Sequence, residues 1–300
     1  MKKVQVLLSA YNGEKYLREQ LDSILSQQYK NITLLIRDDG STDGTLDILE
    51  EYKRNYENVA YYAGENIGIQ NSFFELMKMA DKDADYYAFS DQDDVWLPGK
   101  IERAVAMLER EEQEQPLLYG GKVIYANENL EIMETVPFRN LKEPGIGNAL
   151  VENIFTGCTE VFNRELLEKV TLCLPTCEIL HDWWLYMCGS CFGKVIYDQE
   201  GYILYRQHSH NQVGMQSNWT DRWKKRMHGF AKLKYTLSEH AKEFIKVYGV
   251  EYEKYETVLL VAEYRKNIVN RYRLITSKQI YRQQKIDDII YRFLFLLGLL

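Results

Sequence analysis

The chain has 300 residues, of which 46% are hydrophobic and 27% charged, a composition typical of a globular protein with a sizeable core. Its net charge of −7 is unevenly distributed, since residues 215–300 contain 17 Lys and Arg against 9 Asp and Glu, and residues 1–214 are acidic. The acidic part argues against a nucleic-acid-binding protein, whereas the basic part can face a phosphate-rich surface.

The first hundred residues alternate between strand-like and helical patterns. The predicted strands are 4–10, 32–39, 59–64 and 86–94, and the predicted helices are 14–29, 45–56, 71–80 and a segment from Pro98 onward. Alternation of this kind indicates βαβ units and a mostly parallel sheet with helices on both faces.

The pattern changes after residue 116. Strand-like segments at 117–125, 155–163 and 201–208 accompany a predicted helix at 177–188, and the chain is predominantly helical from Trp219 onward. We therefore predict a boundary near residue 214, with one domain at 1–214 and a helical, basic region at 215–300.

Targeting signals are not evident. Only a short apolar run follows the charged start, and no stretch reaches the roughly 20 apolar residues of a membrane-spanning helix. We expect a cytoplasmic protein.

In that reducing compartment the five cysteines predict no disulfide framework. The spacings Cys173-x3-Cys177 and Cys188-x2-Cys191 would suit zinc, with small core residues as the alternative.

Polar residues follow four successive predicted strands, where sheets of this type bind ligands. These exits carry Ser9, Ala10, Tyr11 and Asn12, then Asp38 and Asp39, then Gly64, Glu65 and Asn66, and finally Asp91, Gln92, Asp93 and Asp94. The recurrence of such residues at every exit predicts a binding site at one edge of the sheet.

Three carboxylates lie within residues 91–94, directly after an apolar run. Asp91, Asp93 and Asp94 raise each other's pKa unless something positive neutralises them. The D-x-D pattern of Asp91 and Asp93 offers oxygen ligands to Mg²⁺ or Mn²⁺, which leave coordination positions open for diphosphate oxygens. A solvated acidic turn is the alternative interpretation.

The second exit offers another carboxylate pair. Asp38 or Asp39 can accept a hydrogen bond from the ring N–H of uracil or thymine, and Gly40 lets the backbone approach a ligand. Capping of the following helix by Thr42 or Asp43 is an alternative use of this segment.

Six segments in order resemble family 2 glycosyltransferases of the GT-A fold, most closely the bacterial rhamnosyltransferases. They are LLSAYNGEKYLREQLDSILSQQY, IRDDGSTDGT, ENIGIQNSF, FSDQDDVWLPGKI, FTGCTEVFNREL and HDWWL, within roughly residues 4–210. The resemblance implies an α/β fold with a Rossmann-like mixed sheet, here with a C-terminal helical appendage.

The resemblance also implies a reaction: transfer of a sugar from a nucleoside diphosphate to an acceptor hydroxyl, with inversion at the anomeric carbon. The aspartate with which that family contacts the pyrimidine matches Asp38 or Asp39. Its metal-binding aspartates match Asp91 and Asp93, with Asp93 the direct ligand to Mn²⁺ or Mg²⁺. Its catalytic base matches Asp182 of HDWW. Helix capping by Asp182 is the alternative.

Further site residues follow from the same motifs. Arg206 is predicted to bind the diphosphate as a bidentate donor and His208 to add a nitrogen ligand to the metal, with a surface loop as the alternative. We also predict donor contacts and acceptor contacts. The donor contacts are Ser9, Ala10, Tyr11 and Asn66, and the acceptor contacts are Gly157, Cys158, Trp183 and Trp184, although helical spacing sends one of the two tryptophans into the core.

The predicted function is addition of a single sugar, because YRQHSHNQVG (205–214) replaces the Q-x-x-R-W sequence of processive relatives. We expect rhamnose from dTDP-rhamnose as the donor and a lipid-linked or growing cell-surface polysaccharide as the acceptor. The alternatives are a UDP-sugar donor or a noncatalytic sugar-nucleotide-binding module. A haloacid-type phosphatase leaves DQDD and HDWW unexplained, and no P-loop or dinucleotide-binding glycine motif occurs.

The C-terminal region predicts contact with a membrane surface. Residues 222–234 mix basic with aromatic side chains, and the apolar segment 289–300 is too short to span a bilayer. We expect peripheral docking at the inner face of the cell membrane. Packing on the catalytic domain, or on a second copy in a homo-oligomer, is the alternative.

Overall fold

The computed structural model describes residues 1–133, 141–208 and 236–300. The chain separates into two compact units. Unit 1 comprises Met1–Pro137, Phe155–Leu172 and Leu180–Asn211, and unit 2 comprises Phe138–Ile154, Cys173–Ile179 and Gln212–Leu300. Two internal segments therefore belong with the C-terminal helices. The predicted boundary near residue 214 lies outside the described residues.

Unit 1 contains an eight-stranded sheet in the order β3-β2-β1-β4-β7-β6-β8-β5. The strands are β1 Val4–Ala10, β2 Ile32–Asp38, β3 Val59–Ala63, β4 Tyr86–Ser90, β5 Val95–Trp96, β6 Leu117–Ala126, β7 Val161–Asn163 and β8 Lys194–Arg206. Strands β1 to β4 are parallel, as predicted. Strand β7 is antiparallel to β4 and β6, and β5 is antiparallel to β8, so the whole sheet is mixed.

The helices of unit 1 follow the predicted alternation. They are α1 Leu17–Leu25, α2 Thr45–Asn55, α3 Gly68–Met79, α4 Lys100–Leu108, α6 Arg164–Thr171 and α7 His181–Phe192. Apolar residues of β1, including Val4, Val6 and Leu8, share one buried cluster with Leu17 and Leu21 of α1. The predicted helical spacing of the apolar positions of α1 thus produces its buried face.

The segment 155–163 is not one strand, which corrects the sequence prediction. Residues Gly157–Thr159 form a 3-10 turn, and the strand begins only at Val161. The hydroxyl and the backbone N–H of Thr159 both donate to the carbonyl oxygen of Thr156, each at 2.8 Å. This local hydrogen bonding competes with an extended conformation and closes the turn.

Unit 2 is helical over its described residues, as predicted for the C-terminal region. Its helices are α5 Ile146–Ala149, α8 Thr236–Tyr248, α9 Tyr255–Glu263, α10 Ile268–Thr276 and α11 Lys285–Leu297. Helix α5 lies directly against the segment before α11, because a Cβ on Gly147 would be 1.8 Å from the carbonyl oxygen of Gln279. None of the helices described for this chain is long and apolar enough to cross a membrane.

Candidate active site

Hydrogen bonds join the loops that follow β1, β2 and β4. The backbone N–H of Tyr11 donates to Oε1 of Gln92 at 2.7 Å, and Nε2 of Gln92 donates to the carbonyl oxygen of Tyr11 at 3.0 Å. Oγ of Ser41 accepts from the N–H of Asn12 at 2.9 Å, and Oδ1 of Asn12 accepts from the N–H of Thr42 at 2.8 Å. The predicted meeting of strand exits at one edge of the sheet is therefore present.

Asp39, which follows β2, forms hydrogen bonds with the loop that follows β3. Its carboxylate accepts hydrogen bonds from Arg37 and from the backbone N–H groups of Ile67 and Gly68, both at 3.0 Å. Asn66 lies exposed in the same loop. Both carboxylate oxygens of Asp39 are thus engaged by the protein.

Asp38 keeps one oxygen unengaged. Its Oδ2 accepts from the N–H groups of Gly40 and Ser41 at 3.1 and 3.0 Å. Its Oδ1 is buried and has no hydrogen-bond partner among the residues that the structure describes. Of the two candidates for contact with a pyrimidine ring, Asp38 is therefore the one with an unused acceptor.

Ala10 is buried, and Ser9 is half-buried. The Ser9 hydroxyl lies 2.6 Å from the Ser72 hydroxyl on α3, which also accepts from Nη1 of Arg37 at 3.2 Å. Ala10 has no exposed surface, whereas Tyr11 is half-exposed. Of the three predicted donor contacts after β1, Tyr11 is the most exposed, Ser9 is partly accessible and Ala10 is buried.

The structure groups Asp91, Asp94 and Cys158 as possible metal ligands, with one ligand atom of each within 4.8 Å of the others. The grouping differs from the predicted set, in which Asp91 was paired with Asp93 and Cys158 contacted the acceptor. Asp94 and Cys158 are buried, and Asp91 is half-buried. Oδ1 of Asp94 accepts from the backbone N–H of Arg206 at 3.1 Å, which fixes it beneath the loop.

Burial and mutual repulsion dominate the electrostatics of this group. Burial, together with the charges of Asp93 and Asp182, raises the pKa of Asp91 to about 7. Burial also raises the pKa values of Asp94 and Cys158 well above their ordinary range. A divalent cation would relieve this repulsion and favour the ionised carboxylates.

Lys100 adds a buried amine to the same neighbourhood. Its Nζ lies 3.7 Å from the centroid of the Trp96 ring. Burial lowers its pKa to about 7, opposed by the nearby Cys158 and Asp94. The amine is therefore only partly protonated at neutral pH, and its charge only partly neutralises the acidic group.

Asp93 and His208 are in direct contact. Nε2 of His208 lies 2.7 Å from Oδ2 of Asp93, and the His208 ring stacks on Tyr16 at a centroid distance of 5.2 Å. The two predicted metal ligands are thus adjacent. Carboxylate oxygens with an imidazole nitrogen form a donor set that suits Mn²⁺, and Mg²⁺ suits the oxygens alone.

Arg206 has different partners from the diphosphate that we predicted. Its Nε donates to the carbonyl oxygen of Asp93 at 2.8 Å, and its Nη1 donates to the carbonyl oxygen of Glu128 at 2.6 Å. It also pairs with Glu19, and its guanidinium lies 4.4 Å from the centroid of the Tyr16 ring. This buried side chain therefore holds residues 91–94, here called the acidic loop, in position.

Asp182 lies in the first turn of α7. Its Oδ1 accepts from the backbone N–H of Trp183 at 2.7 Å, and its charge contributes to the raised pKa of Asp91. Trp183 is half-exposed, whereas Trp184 has no exposed surface. The predicted acceptor contact of Trp184 is therefore wrong, because its ring belongs to the core.

Gly157 allows the 3-10 turn to lie against the start of α7. A Cβ at this position would be 3.0 Å from Nε2 of His181 and 3.4 Å from Cβ of Asp182. The close approach that we predicted at Gly157 is therefore made to protein atoms, and it sets the position of Asp182.

Sequence reasoning missed Glu160 and the burial of His181. Glu160 is fully buried, and neither carboxyl oxygen has a hydrogen-bond partner in the described part of the chain. Burial raises its pKa well above the ordinary value, as does the charge of Asp182. His181 stacks on Phe73 at 3.9 Å, and burial lowers its pKa to about 3. His181 is therefore neutral at pH 7, and burial favours the neutral form of Glu160. A glutamate next to the apolar residues of TEVF was the available signal.

Comparison with known proteins identifies the family. Residues 5–171, more than half of the chain, match the family described as glycosyl transferase family 2. The chain belongs to this family and is a glycosyltransferase.

Two relatives illustrate the similarity. The dTDP-rhamnosyl transferase RfbG of Shigella flexneri is 30% identical over 238 residues, which cover 73% of this chain and 77% of the relative. The uncharacterized glycosyltransferase RT0329 of Rickettsia typhi is 25% identical over 232 residues, which cover 76% of this chain and 71% of the relative.

A solved structure confirms the predicted fold. S. aureus TarS 1–349, crystallised in complex with UDP-GlcNAc, superposes with a TM-score of 0.59 at 17% identity and covers 93% of this chain and 81% of that protein. The chain therefore has the GT-A fold. At this identity the likeness concerns the fold alone.

Proposed function

We propose that the protein transfers one sugar from a nucleoside diphosphate donor to an acceptor hydroxyl, with inversion and with a divalent metal. The observation that carries this proposal is the proximity of Asp182 to the acidic loop, sufficient for its charge to raise the pKa of Asp91. A base and a metal-binding group close to each other are the two parts that a metal-assisted single displacement uses.

Asp182 acts as the base in this proposal. Its carboxylate accepts the proton of the acceptor hydroxyl as that oxygen attacks the anomeric carbon, and the bond to the diphosphate breaks on the opposite face. The N–H of Trp183 orients the carboxylate, and the Gly157 turn keeps the start of α7 in place. Attack from the face opposite the leaving group inverts the anomeric configuration.

The metal is assigned to the acidic loop. Asp91 and Asp93 would hold Mn²⁺ or Mg²⁺, with His208 beside Asp93 and with Asp94 and Cys158 behind them. When bound, the ion neutralises charge that develops on the departing diphosphate. Arg206 orients the loop through its hydrogen bond to Asp93.

We propose a dTDP-sugar donor, with dTDP-rhamnose first among the candidates. The name of the RfbG relative supports this choice, and the TarS complex with UDP-GlcNAc makes a UDP-sugar the second candidate. Oδ1 of Asp38, which has no partner among the residues that the structure describes, would accept a hydrogen bond from the ring N–H that thymine and uracil share. Tyr11 and Asn66, which follow the neighbouring strands β1 and β3, are exposed.

The proposed acceptor is a lipid-linked or growing cell-surface polysaccharide at the cytoplasmic face of the membrane. The half-exposed Trp183, next to the proposed base, offers an aromatic surface for an acceptor sugar. The segment 205–214, in which Q-x-x-R-W is replaced, supports addition of a single residue.

Calorimetric titration of dTDP, UDP and GDP, with and without Mn²⁺, tests the donor assignment. We expect metal-dependent binding of dTDP or UDP and weaker binding of GDP, whose ring presents a different hydrogen-bonding edge. Absence of binding for all three nucleotides in both conditions would remove the proposed donor site. Asp39→Asn and Asp38→Asn then separate the two carboxylates, and selective loss in the Asp38 variant is expected.

A further inference from the structure

Helix α11 carries an exposed apolar stripe. Ile286, Ile289, Phe293 and Leu297 recur at helical spacing and are between 49% and 67% exposed. Tyr291 and Phe295, on another side of the helix, are buried. The helix is therefore anchored through one face and presents large apolar side chains on another.

The neighbouring helix α10 adds to the apolar surface. Ile268, Val269 and Tyr272 are all more than 60% exposed. The two helices are tied together by Arg292 of α11, which donates to the carbonyl oxygens of Ser277 at 3.2 Å and Ile280 at 2.7 Å in the connecting segment. Isolated exposed apolar residues are ordinary, but seven on two connected helices indicate an interaction surface.

The charges around these residues are predominantly positive. Residues 265–300 contain 8 Lys and Arg against 2 Asp and Glu. The exposed charged side chains in this range are all basic, namely Arg265, Lys266, Arg273, Lys278 and Lys285. Asp287 and Asp288 are half-buried, and Asp288 is paired with Arg292 at 2.8 Å. The apolar side chains are therefore accompanied by outward-facing positive charge.

We infer that α10 and α11 form a docking surface for a membrane containing anionic lipids. Apolar side chains enter the boundary between headgroups and acyl chains, while Lys and Arg contact lipid phosphates. A helix of 13 residues such as α11 is too short to span a bilayer and suits a position in the plane of the interface. The inference identifies the surface that would bring the protein to the proposed membrane location, and it does not depend on the transfer chemistry.

Charge complementarity favours this occupant over a second copy of the chain. A two-fold symmetric interface places the same patch of both copies face to face, which would bring the five exposed basic side chains of each together. Repulsion of this kind is costly where water is excluded, and charged residues are depleted from the centres of such interfaces. An anionic surface instead attracts these groups, of which Lys266 is also paired with Glu263 at 2.6 Å.

Co-sedimentation of the full chain with lipid vesicles tests the inference. We expect pelleting with phosphatidylcholine vesicles that contain phosphatidylglycerol, and little pelleting with phosphatidylcholine alone. The double variant Ile289→Ser/Phe293→Ser should lower the partition coefficient about tenfold or more, because both side chains lose their burial in lipid. Lys278→Glu/Lys285→Glu should weaken binding to the anionic vesicles and make it less sensitive to salt.

The control is Leu172→Ser, which removes an exposed apolar side chain from unit 1 and should pellet as the wild type does. All variants should retain the thermal midpoint and the nucleotide affinity of the wild type, so failure of docking and failure of the proposed chemistry are separable. A wild type that stays in solution with both vesicles, or a double variant that pellets unchanged, overturns the inference. Sedimentation velocity showing a dimer that the double variant dissociates, without vesicle binding, would assign the surface to a second copy instead.

Discussion

Nε2 of His208 lies 2.7 Å from Oδ2 of Asp93, although the two residues are 115 positions apart in the chain. The contact joins the end of β8 to the loop after β4. It places an imidazole nitrogen and a carboxylate oxygen side by side at the edge where β1, β2 and β4 end. This pairing supports the assignment of the acidic loop as the metal site.

Replacement of His208 tests whether the imidazole takes part in metal binding. We expect His208→Ala to weaken Mn²⁺ affinity by roughly ten- to a hundredfold, the range for loss of an outer partner or a ligand. Calorimetry of Mn²⁺ binding is the measurement. His240→Ala, in unit 2, is the matched control and should leave this affinity unchanged. Equal affinity in the His208 variant and the wild type would exclude His208 from the site.

Metal affinity should depend on pH around neutrality. Because burial raises the pKa of Asp91 to about 7 in the metal-free protein, protons compete with the ion below that pH. We expect Mn²⁺ affinity to fall up to about tenfold per pH unit below pH 7 and to level off above it. Calorimetry over this range, with Asp91→Asn for comparison, checks the prediction. A pH-independent affinity would contradict it.

Arg206 is expected to act by positioning the acidic loop. Arg206→Lys keeps the charge but loses the forked hydrogen bonds to the carbonyl oxygens of Asp93 and Glu128. We predict about 2–4 kcal/mol of lost stability, together with weaker Mn²⁺ binding. Urea denaturation and metal titration measure the two effects. The control is Arg103→Lys, which disturbs the ion pair with Asp198 and should change stability only. If Arg206→Lys left Mn²⁺ binding unaffected, the positioning role of Arg206 would be refuted.

Glu160 should destabilise the folded protein at neutral pH. Its folded-state pKa is raised above the ordinary 4.5, so the folded state holds a proton that the unfolded state releases as pH rises above that value. Stability is therefore lost with rising pH. We expect Glu160→Leu to increase the free energy of unfolding by about 1–3 kcal/mol at pH 7, and by less near pH 5. Urea denaturation at both pH values decides, and a destabilised variant at pH 7 would contradict this account.

Local patterns were sufficient to predict the first half of unit 1. The apolar spacing of β1 and α1 and the polar residues after each strand depend on neighbours in sequence, and the structure agrees with both. Because parallel strands end at one edge, Tyr11 could be placed near Gln92 without knowledge of side-chain contacts.

The inner arrangement of the site could not be predicted in the same way. Packing between distant segments brings Asp94 and Cys158 close to Asp91. It also directs the guanidinium of Arg206 to Asp93 and Glu19. Strand periodicity also failed at 155–163, where the hydrogen bonds of Thr159 close a turn that no hydrophobic pattern encodes.

The most direct test of the proposed mechanism compares Asp182→Asn with the wild type in donor binding and in sugar transfer. The substitution preserves the shape of the side chain and removes its basicity, so donor affinity should stay within about twofold while the transfer rate falls by about a hundredfold or more. This result would support Asp182 as the base. We also expect the wild type to form a product whose anomeric configuration is opposite to that of the donor. Transfer at the wild-type rate by Asp182→Asn would contradict the central claim.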